Sequence, residues 1–253
     1  MNREVGKVYY PSNLLTKSST KTLKGEKFGW DTHILYLSPH KQNRHGKNLC
    51  PKATAGCSAA CLYTAGRGRF STVQRARMNK TELFLTQRKW FLEKLYKELT
   101  NIDSKDAGAE GIVPLLGAKR QCVRLNGTSD IPWENIKWKG MNLFEHFHNL
   151  QFYDYTKDPK RVLNNKYANY HLTFSRSEEN NNTCLDILNT GNNVAFVFAK
   201  DTYKDVINKG KFLKWDVIDG DESDLRFLDR NGVIVALKSK GDGNKDSSGF
   251  IIR

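Results

Sequence analysis

Three cysteines, Cys50, Cys57 and Cys61, fall within the stretch CPKATAGCSAAC, among Ala, Gly and Thr. Such a set binds soft metals, because thiolates select zinc or iron–sulfur clusters over harder cations. A structural zinc site takes four ligands, commonly as two short pairs, and the chain contains no C-x2-C. Its gaps are six and three residues, and the small residues between them let backbone approach inorganic sulfide closely. Three thiolates suit a four-iron cluster, holding three irons and leaving the fourth open to another ligand. Zinc is the alternative, with His45 completing a Cys3His site, and three ordinary buried thiols are the plainest reading. Cys122 and Cys184 stand alone in a strand and a helix and read as buried thiols.

The elements that must carry this loop show in the hydrophobic pattern. THILYLSP (residues 32–39) reads as a strand just before it. A helix follows from about Ser71 to Leu99, with Leu83, Phe84, Phe91, Leu92, Leu95 and Leu99 at helical spacing and Ser71 as N-cap. QCVRLNG, LQFYDYTK, YHLTFSRS, NVAFVFA and KWDVIDGD read as further strands, separated by helices near Leu143, Pro159, Cys184 and Asp201. GVIVALKSKG reads as a terminal strand or hairpin arm, and Gly210 as a helix stop. Six strands alternating with helices imply a parallel sheet, doubly wound or curled into a barrel. Polar residues gather at the strand ends: Asn126, Thr156, Lys157, Ser175, Arg176, Asp219 and Asp221. Both architectures place their sites at that edge. Residues 1–30 read as an irregular arm and 31–253 as one α/β domain, with the cysteine loop at 50–61.

A net charge of +14, spread along the chain, favours a polyanionic partner, nucleic acid first. The basic segments Lys17 to Lys27 and His40 to Lys52 flank the cysteine loop. No run of about 18 apolar residues exists, so no membrane span is expected. The start of the chain lacks the apolar core of a signal peptide. The expected location is the cytoplasm, that of the host for a phage-encoded chain, where a tight thiol cluster reads as metal-binding before disulfide.

The loop and strand order resemble the radical S-adenosylmethionine superfamily, above all its branch related to spore photoproduct lyase; FYDYTKDPKR is similar to that branch's strand-Thr-Lys segment. CPKATAGC, RLNGTSDI and NYHLTFSRSE, in this order, are similar to a group of bacteriophage proteins. The resemblance implies a partial (β/α)6 TIM-like barrel with a 4Fe-4S cluster on Cys50, Cys57 and Cys61. It implies S-adenosylmethionine at the open iron, lined by Asn126, Asp130, Ser175 and Arg176. Lys157, Arg161, Arg67 and Arg69 would face an anionic substrate, a nucleic acid or nucleotide. The superfamily's usual spacing is C-x3-C-x2-C with an aromatic before the last cysteine; here Ala60 stands there, and LNGTSD replaces a Gly-Gly-Glu stretch. Three other functions fit the residues. One is a non-catalytic nucleic-acid-binding protein with a structural zinc or cluster. Another is a rolling-circle-type nickase, with His146 and His148 on a metal and Tyr153 or Tyr155 as nucleophile. The last is a plain interaction protein of a phage. The acidic run Asp219 to Asp224 half-matches a calcium loop but lacks its glycine and terminal acid, and reads as a solvated strand end.

Overall fold

The computed structural model describes residues 8–17, 24–107 and 119–253. Residues 1–7 of the arm and 18–23, within the basic segment Lys17 to Lys27, lie outside them. A nine-stranded sheet organises the chain, in the order β1-β2-β3-β4-β5-β6-β9-β8-β7. Its members are β1 (Leu15–Thr16), β2 (Trp30–Leu35), β3 (Arg120–Arg124), β4 (Gln151–Thr156), β5 (Tyr170–Ser175), β6 (Val194–Phe198), β7 (Lys211–Phe212), β8 (Trp215–Asp219) and β9 (Ile234–Lys238). Neighbours from β2 through β6, β9 and β8 pair in parallel, while β1 and β7 add antiparallel edges. The sheet is an open, mostly parallel α/β sheet; among the described residues no pairing joins its two ends.

From β2 to β6 each strand lies beside its predecessor, so right-handed crossovers advance in one direction and drop their helices on one face. The residues obey that geometry. Val123, Leu125, Phe152, Leu172, Phe174, Val194 and Phe196 share one core with helix residues such as Leu83, Phe91, Leu95 and Ile187. The alternate positions, Arg124, Tyr155, Lys157 and Ser175 among them, face a cavity. Below it Cys122 and Tyr153 pack on Leu225, with Phe227 beside them, so the β8–β9 connection plugs this second face. Strands covered on both faces by helices read as continuous apolar runs. The polar alternation here marks a face covered by loops and open space.

Three expectations are corrected. The long helix after the cysteine loop is two, broken at Gln87 (φ −123°, ψ 49°). Seven residues along a straight helix rise about 10.5 Å, whereas the break brings the Phe84 and Phe91 rings to 5.3 Å inside the core. Ser71 is not the N-cap; extended Phe70 is, and no side chain caps that end. The strand KWDVIDGD does not follow β6 in the sheet. β9, buried along Ile234–Ala236, inserts between them, and the half-exposed β8 takes the edge position that tolerates water. Part of the arm is also ordered: β1 pairs with β2, and Glu98 accepts the Leu14 and Leu15 N–H groups at 2.8 and 2.9 Å.

The helices are α1 (Ala55–Ala59), α2 (Ser71–Thr86), α3 (Arg88–Ala107), α4 (Leu143–His146), α5 (Pro159–Leu163), α6 (Asn181–Asn189) and α7 (Lys200–Lys209). Two of their signals act as local chemistry predicts. Asp158 caps α5 by accepting the Lys160 N–H, with Pro159 opening the first turn. Gly210 ends α7 with φ 63°, a left-handed cap that a side chain would strain.

Candidate functional site

The cysteine loop crosses the C-terminal edge of the parallel strands, where it roofs a cavity of about 860 Å³. Cys50, Cys57 and Cys61 all line it, half-buried and unpaired. Local bonds set the loop. Thr54 caps α1 by accepting the Cys57 N–H at 3.2 Å. The Glu178 carboxylate, from beyond β5, accepts the Thr54 hydroxyl at 2.8 Å and the Gly56 N–H at 2.7 Å. A Cβ on Gly56 would meet Ser248 Oγ at 2.1 Å and Glu178 Oε1 at 2.6 Å, so a side chain there would displace Ser248 and the carboxylate that holds the loop. Beneath, Ala60 and Cys57 pack on Phe250 and Ile251, a small apolar cluster under the loop.

Burial pushes the Cys50 thiol up to about 12, offset in part by the His40 N–H, which donates to Sγ at 3.3 Å. Burial also raises Cys61, while the Tyr63 N–H, Arg77 and Lys157 act the other way. These thiols are protonated at neutral pH without a cation, and a metal binding them displaces protons.

Several residues singled out from the sequence do other work. Asn126 is buried: its N–H and amide donate to Asp154 at 2.7 and 3.1 Å, and its Oδ1 accepts Ser129 Oγ and the Ile131 N–H, both at 2.9 Å. It folds the NGTSDI loop. Asp130 is clamped by Arg161 at 2.5 Å and accepts the Lys157 N–H at 3.0 Å. Arg161 is only 7% exposed; its guanidinium also bonds Glu134 at 2.6 and 3.0 Å, Tyr170 at 2.9 Å and Thr156 at 3.2 Å. Arg161 is a buried tie between elements, not a substrate-facing cation. Arg176 donates to the Gly249 and Phe250 carbonyls at 2.6 and 2.8 Å and holds the C-terminal segment in place. Asn126 and Asp130 line the cavity with their polar atoms engaged by neighbouring residues, whereas Arg161 and Arg176 are not part of its lining.

Others do meet at the cavity. Lys157 Nζ donates to Ser175 Oγ at 2.8 Å, and both line the wall. Arg67 stands exposed at the rim; Arg69 is exposed but outside the lining. His45 Nε2 sits 2.8 Å from Glu82 and does not line the cavity. Among the described residues no three His, Cys, Asp or Glu side chains stand close enough to share one ion. His146 lies in α4, packed on Tyr96, ahead of β4 and so at the opposite sheet edge from the cavity. Tyr153 is fully buried, its hydroxyl 3.5 Å from Asp224, so the nickase constellation does not assemble. In the acidic run, Asp219 Oδ1 accepts the Tyr203 hydroxyl at 2.5 Å and the Asp221 N–H at 2.7 Å. Asp221 and Asp224 pair with Lys240 and Arg124.

Two contributors escaped the sequence reading. Glu178 shows no motif in SRSEEN, and Arg77 is one of several basic residues on α2. Only long-range proximity singles them out.

A family profile for Gene product 88 matches residues 13–253. The chain belongs to that family of phage gene products. No curated protein and no solved structure matches it. The cysteine loop, the NGTSDI loop and the strand-end lysine all lie inside the matched span.

Proposed function

We propose that this phage protein is an iron–sulfur protein, with a cluster held by Cys50, Cys57 and Cys61 at the mouth of a partial-barrel sheet. One observation carries the reading: three thiols from a single loop, following the first parallel strand, line one cavity. The donor set is soft throughout, as cluster ligation requires. The consecutive parallel strands, with helices on one face and a cavity on the other, support the partial barrel. A four-iron cluster with three thiolate ligands supplies an open iron and a one-electron couple to whatever occupies the cavity. The chain's own contribution is to shield that space, hold the loop through Glu178 and present Lys157 and Ser175. For S-adenosylmethionine the cavity offers Asn126, Asp130 and Ser175 of the four residues assigned to it, each already holding a hydrogen bond within the chain, while Arg176 lies outside the lining.

The test is anaerobic purification followed by iron, sulfide and zinc analysis with a visible spectrum. Iron and sulfide near stoichiometry, lost in each of Cys50→Ala, Cys57→Ala and Cys61→Ala but kept in Cys122→Ala, is the expected result. Stoichiometric zinc without iron overturns it. A second reading, binding of nucleic acid without catalysis, is favoured by the net charge of +14 and the exposed Arg67 and Arg69 beside the cavity mouth.

A further inference from the structure

The acids on the cavity wall each have a cation of their own. Asp130 pairs with Arg161 at 2.5 Å, Asp221 with Lys240 at 2.5 Å and Asp224 with Arg124 at 2.9 Å. Two further lysines at the wall donate to backbone, Lys24 to the Asp221 carbonyl and Lys80 to the Leu14 carbonyl. Of the other cations lining the cavity, Arg77, Lys157, Lys238 and the rim residue Arg67 have no carboxylate partner among the described residues. Arg77 is the unusual one. Its guanidinium lies over the Tyr36 ring at 4.8 Å and the Tyr63 ring at 5.5 Å, which fix its plane. Its Nε and Nη1 are buried and have no hydrogen-bond partner. A buried charged donor left unmatched is costly, and an acceptor entering the cavity relieves that cost. Burial lowers the Arg77 pKa, yet an arginine stays charged at neutral pH. Lys157 adds an ammonium above the Phe250 ring, 5.4 Å away.

We infer that Arg77, Lys157 and Arg67 form a phosphate-binding subsite inside this cavity, sized for a nucleotide. A planar guanidinium with two open donors matches the oxygens of a phosphate, and a nearby lysine adds a point charge. Three uncompensated positive charges exceed what one carboxylate neutralises and suit a di- or triphosphate. About 860 Å³ leaves room for a nucleoside beyond the phosphates. The inference goes beyond the cluster reading. It shares the cavity but not the ligand, and its test runs on metal-free full-length chain, so either reading can fail alone.

The experiment is calorimetric titration of chelator-treated protein with inorganic pyrophosphate and with ATP at low salt. In parallel, iodoacetamide labelling of Cys61 is mapped by mass spectrometry. Both probes are expected to bind and to slow labelling of Cys61, whose thiol is subject to the fields of Arg77 and Lys157. Arg77→Gln and Lys157→Gln are each expected to weaken pyrophosphate by about tenfold or more, the loss of a charge-assisted bond. Lys204→Gln, on the exposed face of α7, should leave affinity unchanged. Competition by a 5′-phosphorylated oligonucleotide assigns the phosphate to a strand end; its failure to compete assigns it to a free nucleotide. Should Arg77→Gln unfold, Lys157→Gln and Arg67→Gln carry the test. The proposal is overturned if wild-type protein binds neither probe. It is also overturned if Arg77→Gln changes Cys61 labelling yet leaves pyrophosphate affinity intact, for then Arg77 serves only the thiol.

Discussion

Replacing Arg161 by Met removes a guanidinium that ties the NGTSDI loop, the end of β4 and α5 together. Five bonds disappear: two to Glu134, one each to Asp130, Tyr170 and Thr156. Summing them at about 1.5–3 kcal/mol each overshoots, because the stranded acids can protonate or recruit water. Breaking one side of a buried ion pair costs about 3–5 kcal/mol, and that range is expected at pH 8. The pH dependence carries the sharper test. Burial raises the Asp130 pKa above its ordinary value even with Arg161 lowering it. An acid whose folded pKa is raised contributes stability below its unfolded pKa, and that contribution is lost as pH rises through the folded value. Without Arg161 the folded value climbs further, so the deficit of Arg161→Met is expected to be smaller at pH 5 than at pH 8. Urea unfolding followed by tryptophan fluorescence at both pH values measures it. Adding Asp130→Asn and Glu134→Gln to Arg161→Met should restore part of the loss at pH 8. A deficit under about 1 kcal/mol at pH 8 would refute the buried-tie reasoning, all the more if pyrophosphate binding vanished while stability held.

His171 supplies an acid-side prediction: burial, then Arg226, lowers its pKa from the ordinary 6.5 of a histidine to about 4. Its lowered folded pKa makes a contribution present above pH 6.5 and lost as pH falls towards 4, about 3 kcal/mol at about 1.4 kcal/mol per pKa unit. His171→Gln should flatten the fall in melting temperature over that window, and an unchanged acid limb would sink the assignment. Glu178→Ala frees the Gly56 N–H and the Thr54 hydroxyl, so iodoacetamide should label Cys57 several-fold faster with only a modest drop in melting temperature; unchanged labelling would show that the loop does not depend on Glu178. If nucleic acid binds at the rim, log affinity falls against log salt with slope about −0.9 per phosphate contact on duplex and about −0.7 on single strands. Arg67→Glu with Arg69→Glu should then weaken binding without loss of stability, and no binding at low salt would leave the charge a surface property.

What was legible in the amino-acid order is what near neighbours decide. The cysteine loop, the strand cores of β2 to β6, β8 and β9, the Asp158–Pro159 helix start and the Gly210 stop depend on backbone preference and on spacing within a few residues. So does the collection of polar side chains at one sheet edge, because parallel strands repeat the same direction. The rest depended on partners far along the chain. The break at Gln87 answers to how Phe84 and Phe91 fill a shared core, and the place of β9 to its greater burial over β8. At the site, Arg161 and Arg77 are both arginines on helices, indistinguishable in composition and charge. One meets Asp130 and Glu134, about thirty positions upstream, and becomes a tie; the other lies over two aromatic rings and keeps its Nε and Nη1 donors open. A side chain's charge is local, but its role follows from which opposite charge the fold brings within hydrogen-bond reach, and that only the tertiary structure decides.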